Sequence, residues 1–107
     1  MCIFCKIASG EVKSEKILED ENFIAFKDIN PQAPFHILII PKKHITELSD
    51  LEGDIFKFTE KVAEKIGLKN KEKGFRLVLN YGKDSGQEIE HLHIHLLGGR
   101  KLKWPPG

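Results

Sequence analysis

No apolar run in this chain is long enough to cross a bilayer. The longest aliphatic one, Ile37-Leu38-Ile39-Ile40, has four residues, against the roughly 20 that a spanning helix needs. A basic region followed by an apolar core is also missing from the first residues, so no secretory signal is expected and the expected location is the cytoplasm. Charge of one sign is lacking too. A formal net charge of +1 leaves no electrostatic footprint for polymeric nucleic acid or an anionic membrane, and a phosphate ligand would have to be held locally. Cysteine is scarce, with Cys2 and Cys5 alone, which excludes a disulfide scaffold. At 107 residues the chain is large enough to bury a core without such staples and suits a single domain over 1–107. Internal repeats, linkers and low-complexity segments are absent.

What the chain does have is an ordinary globular composition, 40% hydrophobic and 31% charged, and an unusual use of histidine. Three of its five histidines fall in Glu90-His91-Leu92-His93-Ile94-His95-Leu96-Leu97. Side chains alternate faces along a strand. His91, His93 and His95 are therefore expected on one side, and Leu92, Ile94 and Leu96 in a core. Imidazole serves near neutral pH as nucleophile, proton carrier or metal ligand. Glu90 falls on the opposite face, so no carboxylate accompanies the histidines, and a metal-dependent hydrolase built on this strand is disfavoured.

The remaining segments predict a compact α+β domain. Cys2 to Ala8 reads as one or two helical turns stopped by Ser9-Gly10. Lys16 to Glu19 and Phe23 to Lys27 read as short strands joined by a polar turn, and Asp28 to Pro34 as a proline-bearing loop. Phe35 to Ile40 is the clearest strand, ended by Pro41. Within it His36 reads, from the residues alone, as a core histidine with its nitrogens satisfied. A helix is expected from a cap at Ser49 or Asp50 to about Ile66, with Gly67 as its stop. Leu51, Ile55, Phe58, Val62 and Ile66 form its apolar stripe, widened by Phe56 and Ala63 into a face that suits either one broad core contact or cover on two sides, by its own sheet and by another subunit. Phe75 to Tyr81 alternates as a strand.

The loop Gly82 to Gln87 is not a P-loop, whose Lys and Ser/Thr follow the last glycine, although a glycine turn can still offer backbone N–H groups to a phosphate. Cys2-x-x-Cys5 admits a redox pair, a disulfide or half of a zinc site. No strand precedes it to make a thioredoxin-type unit, and a reducing compartment disfavours the disulfide, which leaves zinc as the preferred reading.

The histidine strand resembles the signature of the histidine-triad proteins. The likeness extends to Phe26–Pro34, Ile40-Pro41-Lys42-Lys43-His44-Ile45, Asn80, Gly86-Gln87 and Leu97-Gly98-Gly99-Arg100…Trp104-Pro105-Pro106-Gly107, which are similar to the nucleotide-binding branch often called HINT. The resemblance implies a five-stranded antiparallel sheet with one long helix and a short N-terminal helix, joined into a ten-stranded sheet in a homodimer. It implies purine mononucleotide binding and hydrolysis of nucleoside phosphoramidates, which carry a P–N bond. Carried over by position, His93 is the expected nucleophile, His95 and Gln87 bond the phosphate oxygens, and His36 is a proton relay, a role that displaces the core-histidine reading. Asn80 and the backbone at Glu88 and Ile89, after Gly86, hold the phosphate. Asp28 takes the ribose hydroxyls, and Ile3, Phe4, Ile7, Phe26 and Ile29 enclose the base. Cys2 and Cys5 resemble a microbial subset in which two cysteines, the histidine after Pro-Lys-Lys (His44) and the first triad histidine (His91) bind a structural zinc. Glu88 stands where animal members typically have serine, which leaves the departing group open.

Three functions remain as expectations. The leading one is phosphoramidate hydrolysis. The second is a dinucleoside polyphosphate hydrolase or nucleotidyl transferase using the same His93 chemistry on a P–O bond. The third is a nucleotide-binding regulatory module whose activity is incidental.

Overall fold

The computed structural model describes all residues from Met1 to Gly107. Helix α1 (Ile3–Ser9) is followed by strands β1 (Lys16–Glu19), β2 (Phe23–Lys27) and β3 (Phe35–Pro41), helix α2 (Ile55–Lys65), and strands β4 (Arg76–Val78) and β5 (Ile94–Gly98). The strands form one antiparallel sheet in the order β1-β2-β3-β5-β4. This is the α+β architecture expected. No helix is long and apolar enough to cross a membrane.

Alternation along the central strands gives the sheet two apolar faces. Phe23 and Ala25 of β2, Ile37 and Ile39 of β3, and Leu92, Ile94 and Leu96 face α2, where they meet Ile55, Phe58, Val62 and Ala63. The intervening residues, Ile24, Phe26, Leu38 and Ile40, meet Phe4 and Ile7 of α1 in a second cluster. His36 shares the parity of Leu38 and Ile40, so the same alternation delivers it to the α1 face.

Local chemistry sets the boundaries. The β1–β2 turn is closed by the Asp20 carboxylate, which accepts from the N–H groups of Asn22 and Phe23, both at 2.8 Å. Helix α1 is capped by the Cys2 sulfur, which accepts from Cys5 N–H at 3.3 Å, and stops at Gly10 with φ of 83°. Helix α2 starts later than its stripe predicts. Gly53, at φ of 86°, breaks the chain, and Asp54 supplies the cap by accepting from Lys57 N–H at 3.0 Å. Leu48–Asp50 is a separate short turn, so Leu51 packs against the core from outside the helix.

Two strand boundaries also move. Strand β3 keeps Pro41, which pairs with Phe23 at the sheet's end. Strand β4 is shorter than Phe75–Tyr81, because its only neighbour is β5 and the ladder ends at Val78 opposite His95. For the same reason the hydrogen-bonded part of the histidine segment begins at Ile94. His91 closes a bend and His93 lies in irregular chain ahead of the strand, held by Leu92 N–H donating to the Ile45 carbonyl at 2.7 Å.

Candidate functional site

The α1 face of the sheet carries a cleft of about 520 Å³, within the size range of small-ligand pockets. Ile3, Phe4, Ile7 and Phe26 form its apolar end. Asp28, Ile29, Asn80, Gly86, Glu88 and Ile89 line the rest, with His36, His93 and His95 at its floor. Residues separated by most of the chain meet here because β3 and β5 are neighbours and α1 packs on β2 and β3 with Phe4 against His93. Ile29 is fully exposed at the rim. Gln87 does not line the cleft. Its amide spans its own loop instead, accepting from Gly82 N–H at 2.8 Å and donating to the Ile89 carbonyl at 3.1 Å. Lys13 and Ser14 line the cleft without any sequence motif to mark them, and Gln32, inside the Phe26–Pro34 likeness, lines it without an assigned role. A buried, unbonded Ser14 Oγ is the one signal, and it is visible only in three dimensions.

The hydrogen bonds assign the proton of each buried imidazole, since a neutral ring has one donor nitrogen and one acceptor. His93 Nδ1 lies 2.7 Å from the His91 carbonyl. A carbonyl only accepts, so Nδ1 carries a hydrogen, and in the neutral ring Nε2 keeps the lone pair. The ring packs edge-on against Phe4 at 5.1 Å and beside His95 at 5.0 Å. His36 has the reverse arrangement. The Gln32 N–H donates to its Nδ1 at 3.0 Å, so the hydrogen sits on Nε2, which lies 2.9 Å from His95 Nδ1 and 3.3 Å from Asp28 Oδ2. His95 Nδ1 is then an acceptor, and its hydrogen is on Nε2. Burial pushes the His95 pKa down to about 4, with the neighbouring His93 and His36 adding to it, and burial lowers His36 as well, against the opposing pull of Asp28. Both rings are therefore neutral near pH 7.

A second cluster lies just behind the floor. Cys2, Cys5, His44 and His91 bring two sulfurs and two nitrogens within 4.8 Å of one another. The sulfurs are 3.2 Å apart, and the sulfur–nitrogen separations run from 3.1 to 3.6 Å. Around a tetrahedral zinc with bonds of about 2.3 Å to sulfur and about 2.0 Å to nitrogen, neighbouring ligand atoms lie roughly 3.3–3.8 Å apart. The four atoms need only a slight opening to meet that geometry. His91 is fully buried, and its Nε2–H donates to the Pro41 carbonyl at 2.9 Å. This leaves Nδ1 unprotonated toward the thiols, the usual orientation of a histidine ligand. Burial and the adjacent Cys2 thiol raise the Cys5 pKa, so a cation is what would make a thiolate pair stable here.

Asp28, His36 and His95 also converge within 4.8 Å, but their hydrogen bonding makes them a proton chain. A metal on His36 Nε2, with Nδ1 already accepting from Gln32 N–H, would require an imidazolate.

Fold and cleft together define an α+β protein that presents imidazoles of fixed orientation at the floor of a small-ligand cleft. The chain belongs to the HIT-domain family, whose model, described as the HIT domain, matches residues 9–102. It is similar to a HIT family hydrolase from Legionella pneumophila, at 48% identity and a TM-score of 0.89 over all of both chains. A histidine triad nucleotide-binding protein from Candida albicans is 33% identical, with a TM-score of 0.81 over 98% of this chain and 83% of that one. A zinc-bound histidine triad family protein from Mycobacterium smegmatis is 34% identical, with a TM-score of 0.74 over 92% of this chain and 75% of that one.

Proposed function

We propose that this chain is a zinc-containing member of the nucleotide-binding branch of its family, a single-domain cytoplasmic homodimer that hydrolyses purine nucleoside phosphoramidates. The observation that carries the reading is the His93 ring, whose Nδ1–H is tied to the His91 carbonyl at 2.7 Å while the ring faces the cleft. A neutral imidazole held this way needs no activation to attack phosphorus. The His93 Nε2 lone pair forms a bond to phosphorus as the P–N bond breaks, and the departing nitrogen takes up a proton from solvent and leaves as an amine. Water then attacks the nucleotidyl-histidine, which returns His93 and releases the nucleoside monophosphate. His95 donates from Nε2 to charge on the phosphoryl oxygens. His36 holds His95, Gln87 shapes the phosphate loop from behind, and Asn80 and the backbone through Gly86, Glu88 and Ile89 flank the phosphate. Asp28 takes the ribose hydroxyls. Ile3, Phe4, Ile7, Phe26 and Ile29 enclose the purine. Glu88, exposed at the rim, meets the leaving group.

Zinc on Cys2, Cys5, His44 and His91 would supply structure, tying α1 to the segment that carries His93. The homodimer places β4 edges side by side in a ten-stranded sheet, and the exposed Phe56 of α2 packs at the same face. The Legionella relative is a family hydrolase and the Candida relative a nucleotide-binding protein, which supports the class, and the zinc-bound mycobacterial relative supports the metal.

The test is a panel of AMP and GMP joined to different amines, with diadenosine polyphosphates alongside. Turnover of the P–N compounds well above the P–O compounds is expected. Preference for P–O substrates points to the polyphosphate hydrolase, and tight AMP binding with background turnover throughout points to a regulatory module.

A further inference from the structure

Arg100 lies outside the proton chain just described, yet it touches the residue that sets that chain's direction. Its Nη2 donates to the Gln32 carbonyl at 3.0 Å, while the N–H of the same residue donates to His36 Nδ1 at 3.0 Å. Residue 32 is thus held at both of its backbone polar groups, one from the segment after β5 and one from β3. Gly99 makes the first contact possible. It has φ of 91°, and a Cβ there would come within 2.8 Å of Pro34 Cβ and 3.0 Å of Phe35 Cδ2, so only a glycine lets the chain pass close enough to the Asp28–Pro34 loop to place Arg100 beside it.

The consequence follows from ring chemistry. Without the Gln32 N–H, His36 could carry its hydrogen on Nδ1 and present an acceptor at Nε2. His95 Nδ1 would then have to donate, and His95 Nε2 would lose its hydrogen. The Gln32 backbone N–H therefore bears on whether His95 offers the cleft a donor or a lone pair. Asp28 Oδ2, 3.3 Å from His36 Nε2, favours the same choice.

We propose that Arg100 is a positioning residue: by anchoring Gln32 it aims the residue 32 N–H at His36, and so fixes on Nε2 the hydrogen that His95 presents to a phosphoryl group. The last clause rests on the phosphoramidate reading, whereas the tautomers do not. The experiment is long-range proton–nitrogen NMR of the histidine rings in the purified full chain labelled with nitrogen-15, comparing wild type, Arg100→Met, Arg100→Lys and Gln32→Pro, the last of which removes the N–H itself. In wild type, His36 and His95 are expected to be protonated on Nε2, with His93 protonated on Nδ1. In Arg100→Met the opposite tautomers should appear at His36 and His95 together while His93, held by its own carbonyl, stays as it was. Arg100→Lys should restore most of the wild-type pattern. Loss of one hydrogen bond of this kind corresponds to ~5-fold, and in kinetics on AMP phosphoramidates that factor should fall on kcat more than on KM.

A wild-type His95 protonated on Nδ1 overturns the proposal whatever the substrate proves to be. An Arg100→Met protein with unchanged tautomers at both rings removes Arg100 from it. Should Gln32→Pro not fold, the arginine variants decide alone. Wild-type and variant tautomers as expected, with no turnover of any phosphoramidate, would sustain the positioning chain and reject only the proposed reaction.

Discussion

The zinc assignment makes a quantitative demand on stability. Cys5 contributes a sulfur 3.1 Å from His44 Nδ1 and 3.2 Å from Cys2 Sγ, and its side chain has no other structural task in α1. Cys2 differs, since its sulfur also caps the helix. Cys5→Ser should therefore remove the metal with little direct damage to packing. A ligand present at 1,000 times its dissociation constant stabilises the folded state by about 4 kcal/mol, and in a chain of this size each kcal/mol moves Tm by roughly 4–8 °C. A strong chelator should then lower the wild-type Tm by about 15–30 °C, and Cys5→Ser without chelator should unfold in the same low range. Chelator added to Cys5→Ser should do nothing more, because the two perturbations act on one site. Differential scanning calorimetry of untagged, reduced protein, with metal content measured alongside, reads all four states. A wild-type protein that melts at the same temperature with and without chelator, and no higher than Cys5→Ser, would refute the assignment.

Three further outcomes are expected. The protein should be a dimer by light scattering at micromolar concentration, and Phe56→Glu should make it monomeric, since Phe56 is 66% exposed beside a groove lined by Phe75 and Leu77; a wild-type monomer rules the arrangement out. Acidification should destabilise the fold, because His95 takes up its proton at about 4 when folded but near 6.5 when unfolded, so the unfolded chain binds more protons between those values and stability falls as pH drops through them. His36 is shifted in the same direction; urea titrations should show a shallower pH dependence for His95→Gln than for wild type, and an unchanged slope contradicts the assignment. His91→Ala should lose metal and stability together, whereas His93→Ala should keep both, as calorimetry with metal analysis will show.

Much of the scaffold was legible from the residues because its signals are local. Period-two alternation with a turn at Asp20 was enough for β1 and β2, whose bounds fall where the sequence puts them. Helix α2 was placed correctly in kind but began late, since its apolar stripe continues backward through Leu51 and conceals the break at Gly53. The length of β4 depends on how far its neighbour's ladder extends, which is a tertiary fact. The site divides in the same way. Cys2 and Cys5 announce a half-site by their spacing, but His44 and His91 join them only after β3 and the histidine segment are folded side by side. His36 sits in an apolar run that gives no hint of chemistry, and the β3–β5 pairing puts its ring 2.9 Å from His95. Arg100 reaches this chain through the backbone of residue 32, whose N–H and carbonyl make the two contacts, so the identity of residue 32 does not announce the link.

The central claim is that His93 forms a covalent bond to phosphorus, and rapid mixing of enzyme with excess AMP phosphoramidate tests it most directly. Quenching in alkali, where phosphoryl-histidine persists, followed by peptide mass spectrometry, should place the nucleotidyl adduct on His93, with amine released ahead of AMP whenever water attack is the slower step. His93→Ala should show neither adduct nor turnover while still binding AMP. An adduct on any other residue, or a His93→Ala protein that turns over normally, would contradict the account.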